Sequence, residues 1–185
     1  QMCRRDRLIA ERYPNVPVLA TPPTIELIRV LQADAQRIMQ VRQEAEGELP
    51  LFDDVAVQHL LDAFQPVIFR QPIYLDHGVQ VTYYPSGHIL GAASIVIESD
   101  EGTLVMSGDV SMTPQRTVQS ADLPRIKAHA LVLESTYGGK LHANRIAEEN
   151  RLIARLQEVT AAGGRVLIPA FALGRAQEVL QILLA

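Results

Sequence analysis

The sequence predicts an α/β architecture, and three observations carry that expectation. Strand-like and helix-like periods alternate from "VPVLA" near the start to "LGRAQEVLQILLA" at the end. Two Ile/Val-rich runs, residues 92–98 and 103–107, flank "SDEG", where Gly102 can take a positive φ, which is the pattern of a β-hairpin. After "STYGGKLHAN" the period turns helical, and "AAGG" stops it before another apolar run.

Taken in order, a short basic helix over residues 4–12 leads through "YPN" to the strand "VPVLA". "TPPT" then opens a long helix, with Pro near its first turn and apolar Ile25, Ile28, Leu31, Ile38 and Val41 at helical spacing. "EAEGELP" ends it, and a second helix is expected over residues 53–64, with Val57, Leu60, Leu61 and Phe64 on one side. From Pro66 the chain turns to strands, "VIF", "PIYL" and "VQVTYY", followed by the hairpin. A loop with Pro114 and Pro124 leads to the strand "ALVLE", a helix over 145–161, a buried strand "RVLIPA" and a final helix. No internal repeat or low-complexity tract interrupts this order, and the shift in composition over 135–143 marks the best domain junction. The last helix runs out in "LQILLA" without a cap and the beginning is equally abrupt, so the chain is expected to be a piece of a longer protein.

Composition narrows the function classes. At 185 residues the chain accommodates one large domain or parts of two, and 48% hydrophobic residues suffice for a core. No apolar run approaches the roughly 20 residues of a membrane span, and no cleavable signal pattern opens the chain. The single cysteine, Cys3, excludes an internal disulfide and a multi-cysteine zinc knuckle, which makes a cytoplasmic location the default. A net charge of −4 argues against a surface coated for nucleic acid, so any such contact is local. The Arg4, Arg5, Arg7 and Arg12 cluster could be a phosphate patch, but a solvated helix face is favoured.

The chemistry gathers at strand ends. A hairpin returns its second strand to the level where the first began, so His88 in "SGHILG" and Asp109 in "SGD" are expected to meet. Imidazole and carboxylate suit a cation such as zinc, while the plainer alternative is a turn histidine and a capping aspartate. Glu134 ends an apolar strand, where a carboxylate needs a partner; it could orient a histidine, bind a cation, or cap the amides of its own loop. Ser135 and Thr136 offer hydroxyls beside it. Gly174 and Arg175 open a helix directly after a strand, an arrangement suited to an anion, against which stands an Arg175–Glu178 pair on the helix surface. His59, His77 and His129 are expected in solvent-facing or structural roles, and His142, in a polar loop, is the first suspect for an extra ligand.

Together and in this order, "VPVLATPPT", "YYPSGHILGAAS", "LVMSGD", "LVLESTYGG" and "VLIPAFALGRAQE" resemble the metallo-β-lactamase-fold nucleases of the β-CASP family, over residues 17–185. The resemblance implies a four-layered αββα sandwich, incomplete at its N-terminus, over residues 1–135, and the start of an α/β β-CASP domain over 136–185. It implies that His88 is a zinc ligand and that Asp109 is the carboxylate shared by two zinc ions. Glu134 would be an acid acting with a distant histidine to protonate the leaving group, and Ser135, Thr136, Gly174 and Arg175 would contact phosphate. The implied activity is zinc-dependent hydrolysis of RNA phosphodiesters, with DNA as the alternative substrate, a homodimer as a candidate assembly and no membrane partner.

One departure matters. The family's His-x-His-x-Asp-His motif has no counterpart in "QMCRRDRLIAERYPN", which contains no histidine. The site is therefore expected to be incomplete, and the isolated chain to bind zinc weakly, to lack nuclease activity and to aggregate through the uncovered side of "ASIVIES" and "TLVMS". Two further readings are a non-catalytic scaffold subunit and a metallo-hydrolase of a small ester or thioester. The second is disfavoured by "ESTYG" and "PAFALGRAQE", which resemble the nuclease branch.

Overall fold

A computed structural model describes residues 9, 10 and 12–184, so Cys3, Arg4, Arg5, Arg7 and most of the expected first helix lie outside the described residues. The chain forms two compact units, Gln1–Ile73 and Tyr74–Ala185.

In the first unit, strand β1 (Val18–Ala20) leads into helix α1 (Pro22–Glu46). Thr21 is extended at the N-cap and proline occupies the first helical positions, where the absent N–H costs nothing and the fixed φ suits the helix. Gly47 ends α1 at φ 68°, its N–H bonded to the Gln43 carbonyl. Ile25 and Ile28 are buried, but Ile38 and Val41 are 44% and 59% exposed, so only the first half of the apolar stripe packs. Helix α2 (Asp54–Asp62) starts at Asp53, whose carboxylate accepts from the Ala56 amide at 2.8 Å, and it buries Val57 and Leu60.

The strand expected at "VIF" forms earlier, as β2 (Phe64–Pro66), parallel to β1 with Val18 opposite Phe64. The shift follows from the end of α2: the Val18 N–H reaches the Ala63 carbonyl at 2.8 Å as soon as the helix stops. Pro66, which has no N–H to donate, ends the strand.

Strand β3 (Pro72–Tyr74) marks the end of the first unit, and the sheet of the second unit runs in the order β4-β5-β6-β7. Strand β4 (Gln80–Pro85) pairs antiparallel with β5 (Ala93–Ser99), from Gln80 opposite Glu98 to Pro85 opposite Ala93. Strand β5 pairs antiparallel with β6 (Gly102–Met106), Ser99 facing Gly102 and Ile95 facing Met106. This is the expected hairpin. Val81 and Tyr83 on β4 and Val96 on β5 are the buried apolar residues of these strands. Strand β7 (Ala130–Val132) runs parallel to β6, Leu104 opposite Ala130.

Two of the expected strands fall short here. Only three residues of "ALVLE" pair, along the single neighbour β6, and Leu131, Val132 and Leu133 are more than half exposed. "RVLIPA" was expected as a buried strand, yet residues 165–170 join no ladder among the described residues and Leu167 is 91% exposed. An apolar run becomes a strand only where a neighbouring edge offers hydrogen bonds.

Helix α3 (Arg145–Ala161) spans the expected residues, capped by the Asn144 side chain on the Ala147 amide at 3.1 Å. Helix α4 (Arg175–Leu183) follows, shorter than the segment that suggested it. Among the described residues no helix is long and apolar enough to cross a membrane.

Candidate metal centre

The hairpin register sets the site. His88 lies just before β5 and Asp109 just after β6, and an antiparallel bridge between Gly87 and Val110 extends the pairing past the strand ends. The Ser111 amide bonds the Ser86 carbonyl at 2.8 Å, closing the two loops on each other. His88 Nε2 and Asp109 Oδ2 then stand 3.6 Å apart, with 43% and 26% of the side chains exposed.

That separation exceeds the usual N–H···O range of about 2.7–3.2 Å. It fits an ion between them: zinc bonds of about 2.0–2.2 Å to nitrogen and oxygen, set at a tetrahedral angle, put the donor atoms roughly 3.4 Å apart. The donor set therefore suits one shared zinc ion. Among the described residues no group of three or more His, Cys, Asp or Glu side chains is placed to hold a metal.

Each ligand candidate follows a Ser-Gly pair, and the structure explains both. Ser86, with no exposed surface, donates to the Asp109 carbonyl at 2.7 Å. Ser107 donates to the Gly108 carbonyl at 2.6 Å, while Ser94, buried on β5, donates to the Ser107 carbonyl at 2.6 Å. Gly87 and Gly108 are left-handed, and a side chain at either would strike backbone: an added Cβ at Gly87 would lie 2.4 Å from the Ala121 nitrogen, and one at Gly108 would lie 2.7 Å from the Ala93 carbonyl oxygen. The repeated "SG" was visible in the sequence, although these roles for the serines were missed.

Glu134 joins the same network. Its Oε1 accepts from the Val110 amide at 2.8 Å, and its own N–H donates to Ser107 Oγ at 3.0 Å. The Val110 hydrogen bond, then one from the Thr136 side chain, hold its carboxyl below the usual value; partial burial opposes them, and the nearby His88 charge adds to the lowering. Both its own loop and the Asp109 loop are thus capped by this carboxylate.

The remaining candidates scatter. Thr136 is engaged with Glu134, while Ser135 caps a turn through its carbonyl, which accepts from Gly138 at 3.0 Å. Gly174 precedes α4 at φ 77°, and a Cβ there would lie 2.8 Å from Ile89 Cγ2. Arg175 is exposed, and the alternative of a surface Arg175–Glu178 pair is corrected: Glu178 is 1% exposed and binds the Arg145 guanidinium instead. His142 rests edge-on against Tyr137, with ring centroids 4.7 Å apart. His129 Nδ1 accepts from the Thr103 amide at 2.9 Å, a structural role. Gln115 and Glu178, both missed as site residues, tie the loop after Asp109 in place.

The sequence model of the metallo-beta-lactamase superfamily domain matches residues 7–135. The chain is 34% identical to cleavage and polyadenylation specificity factor subunit 3 of Dictyostelium discoideum over 166 residues, covering 90% of this chain and 21% of that protein. It is 35% identical to endoribonuclease YSH1 of Mycosarcoma maydis over 166 residues, 90% of this chain and 18% of the relative. With RNase aCSPSF2 of Saccharolobus solfataricus it shares 36% identity over 133 residues, 71% of this chain and 27% of the relative. The chain spans about a fifth to a quarter of the length of these relatives. The resemblance drawn from the five motifs, and with it the α/β fold class, is borne out.

Proposed function

The chain belongs to the metallo-beta-lactamase superfamily, and on that premise we propose that it is part of a zinc-dependent nuclease that hydrolyses RNA phosphodiester bonds. The observation that carries this reading is the 3.6 Å approach of His88 Nε2 to Asp109 Oδ2 at the open ends of a hairpin. The names endoribonuclease and RNase among the relatives support RNA as the substrate. Zinc at such a site supplies a water of lowered pKa and neutralises charge on phosphoryl oxygens.

The chain's own residues hold and orient. His88 Nε2 and Asp109 Oδ2 are the proposed ligands, and Glu134 fixes the backbone next to Asp109 through Val110. Because its pKa is lowered, Glu134 is ionised near neutral pH, so it supports a histidine's proton rather than donating its own. Arg175, exposed at the start of α4, is the proposed phosphate contact, with Ser135 and Thr136 beside Glu134. We assign residues 1–135 to a partial metallo-β-lactamase domain and 136–185 to the start of a β-CASP domain, supported by the family match ending at residue 135. The cytoplasmic location and the homodimer belong to the same proposal. Zinc takes roughly three or four protein ligands, so the isolated chain is proposed to be inactive.

The test is cleavage of a labelled single-stranded RNA by the gene product carrying this chain, beside a DNA strand of the same sequence. RNA cleavage is expected to be lost on chelation and to return with zinc. Cleavage indifferent to chelation would contradict the proposal, and preferential cleavage of the DNA strand would replace its substrate.

A further inference from the structure

We propose that helix α4 positions His88, with Glu178 and Gly174 as positioning residues that act through the loop following Asp109 and through Ile89. Only the consequence for zinc rests on the ligand reading above.

Glu178 is 1% exposed, and a buried carboxylate persists only when its charge is met. Three of its hydrogen bonds come from one short stretch: the Arg116 amide at 2.8 Å, the Thr117 amide at 3.0 Å and the Thr117 hydroxyl at 2.9 Å. The Arg145 guanidinium supplies another from α3. Arg116 and Arg145 also converge on Glu149, at 2.7 Å and 2.8 Å, which ties the same loop to α3. Taken alone, this would be a tie between two helices and a loop.

The neighbouring residue extends the tie to the site. Gln115 directs its side-chain amide to two carbonyls of the histidine loop, Gly87 at 3.0 Å and His88 at 2.8 Å, and its own N–H closes the turn on Val118 at 2.8 Å. A link between helices has no need of those two bonds. Independently, the backbone at Gly174 comes so close to Ile89 that a Cβ would lie 2.8 Å from its Cγ2. Helix α4 thus reaches the residue after His88 through Gly174, and the carbonyls of Gly87 and His88 through Glu178, residues 116–117 and Gln115. Within "GRAQE", Gly174 and Glu178 serve the histidine loop, and Arg175 is left for solvent or substrate. Removal of such outer supports typically weakens metal affinity about 10–100-fold.

The test follows the His88 imidazole by 1H–15N NMR in the metal-free 185-residue chain, with the peaks identified by loss in His88→Asn. Glu178→Gln and Gln115→Ala are expected to shift the His88 ring resonances, although Glu178 does not touch His88. Arg155→Ala, which removes an exposed pair with Glu158, is expected to leave them in place. Zinc chloride added to Gln115→Ala is then expected to bind at least about tenfold more weakly than to the parent chain. The proposal is overturned if the His88 peaks of both variants overlay the parent and the changes stay within 113–118 and the two helices. Should Glu178→Gln fail to fold, Gln115→Ala decides alone. If zinc leaves His88 of the parent unmoved, the ligand reading fails, while the metal-free shifts still decide the positioning.

Discussion

Glu178→Ala is expected to destabilise the chain by about 2–5 kcal/mol, because two amides lose the acceptor that meets them on the buried side of α4. The substitution leaves the Arg116 and Thr117 amides without their acceptor, while Arg145 keeps only Glu149. Glu178→Gln retains the shape and loses the charge, and is expected to cost less, about 1–3 kcal/mol. The pH dependence has a definite sign. Burial pushes the Glu178 carboxyl up, but the hydrogen bonds from Arg116 and Thr117 and the Arg145 charge outweigh it, leaving the folded pKa below the ordinary 4.5. Glu149 is lowered too, first by the Arg116 side-chain hydrogen bond. A carboxylate with a depressed folded pKa contributes stability that is present above the unfolded value and lost as pH falls through the folded one. Urea midpoints of the parent chain should therefore drop below pH 4.5, and those of Glu178→Ala should drop less. Parallel pH profiles for the two proteins would refute the assignment.

Gly87→Ala is the second large effect, about 2–5 kcal/mol from left-handed strain and overpacking together. Its φ is 72°, and a Cβ would lie 2.4 Å from Ala121 N, 2.5 Å from the Ser111 oxygen and 2.7 Å from the Ser120 carbonyl carbon. All three are backbone atoms, so no rotamer change relieves the clash. The Ser111 to Ser86 and Ala121 to Ser111 hydrogen bonds, at 2.8 Å and 2.7 Å, should open, and hydrogen exchange at those amides should rise. Gly47 supplies the contrast: its φ is 68° with nothing within 4 Å of an added Cβ, so Gly47→Ala should cost only the strain, roughly 1–2 kcal/mol. Equal losses in the two variants would show that the contacts at Gly87 do not matter.

The meeting of His88 and Asp109 was legible because it depends on local signals. Alternating Ile/Val runs and a turn with Gly102 set the register, and the register determines which loops meet. The supports of the pair were not legible for the opposite reason. Ser86 bonds the Asp109 carbonyl across 23 positions, and Glu178 bonds the Thr117 amide across 61. Helical spacing suggested Arg175 as the partner of Glu178, but a buried carboxylate takes the donors that tertiary packing brings to it. Apolarity misled at "RVLIPA", where Leu167 lies open. Hydrophobic content marks residues that can be buried, and a strand still needs a neighbouring edge. Likewise the α1 stripe includes Val41, which points to a face that the first unit leaves uncovered.

His88 and Asp109 are proposed to hold one zinc ion between them. Titration of the 185-residue chain with zinc chloride tests it, following the His88 imidazole nitrogens and the Asp109 carboxyl carbon by NMR in the parent, Asp109→Ala and His88→Ala. Both groups are expected to respond together along one weak binding curve, and either substitution is expected to abolish the response of the other residue. A His88 response that survives in Asp109→Ala, or an Asp109 response that survives in His88→Ala, would contradict it.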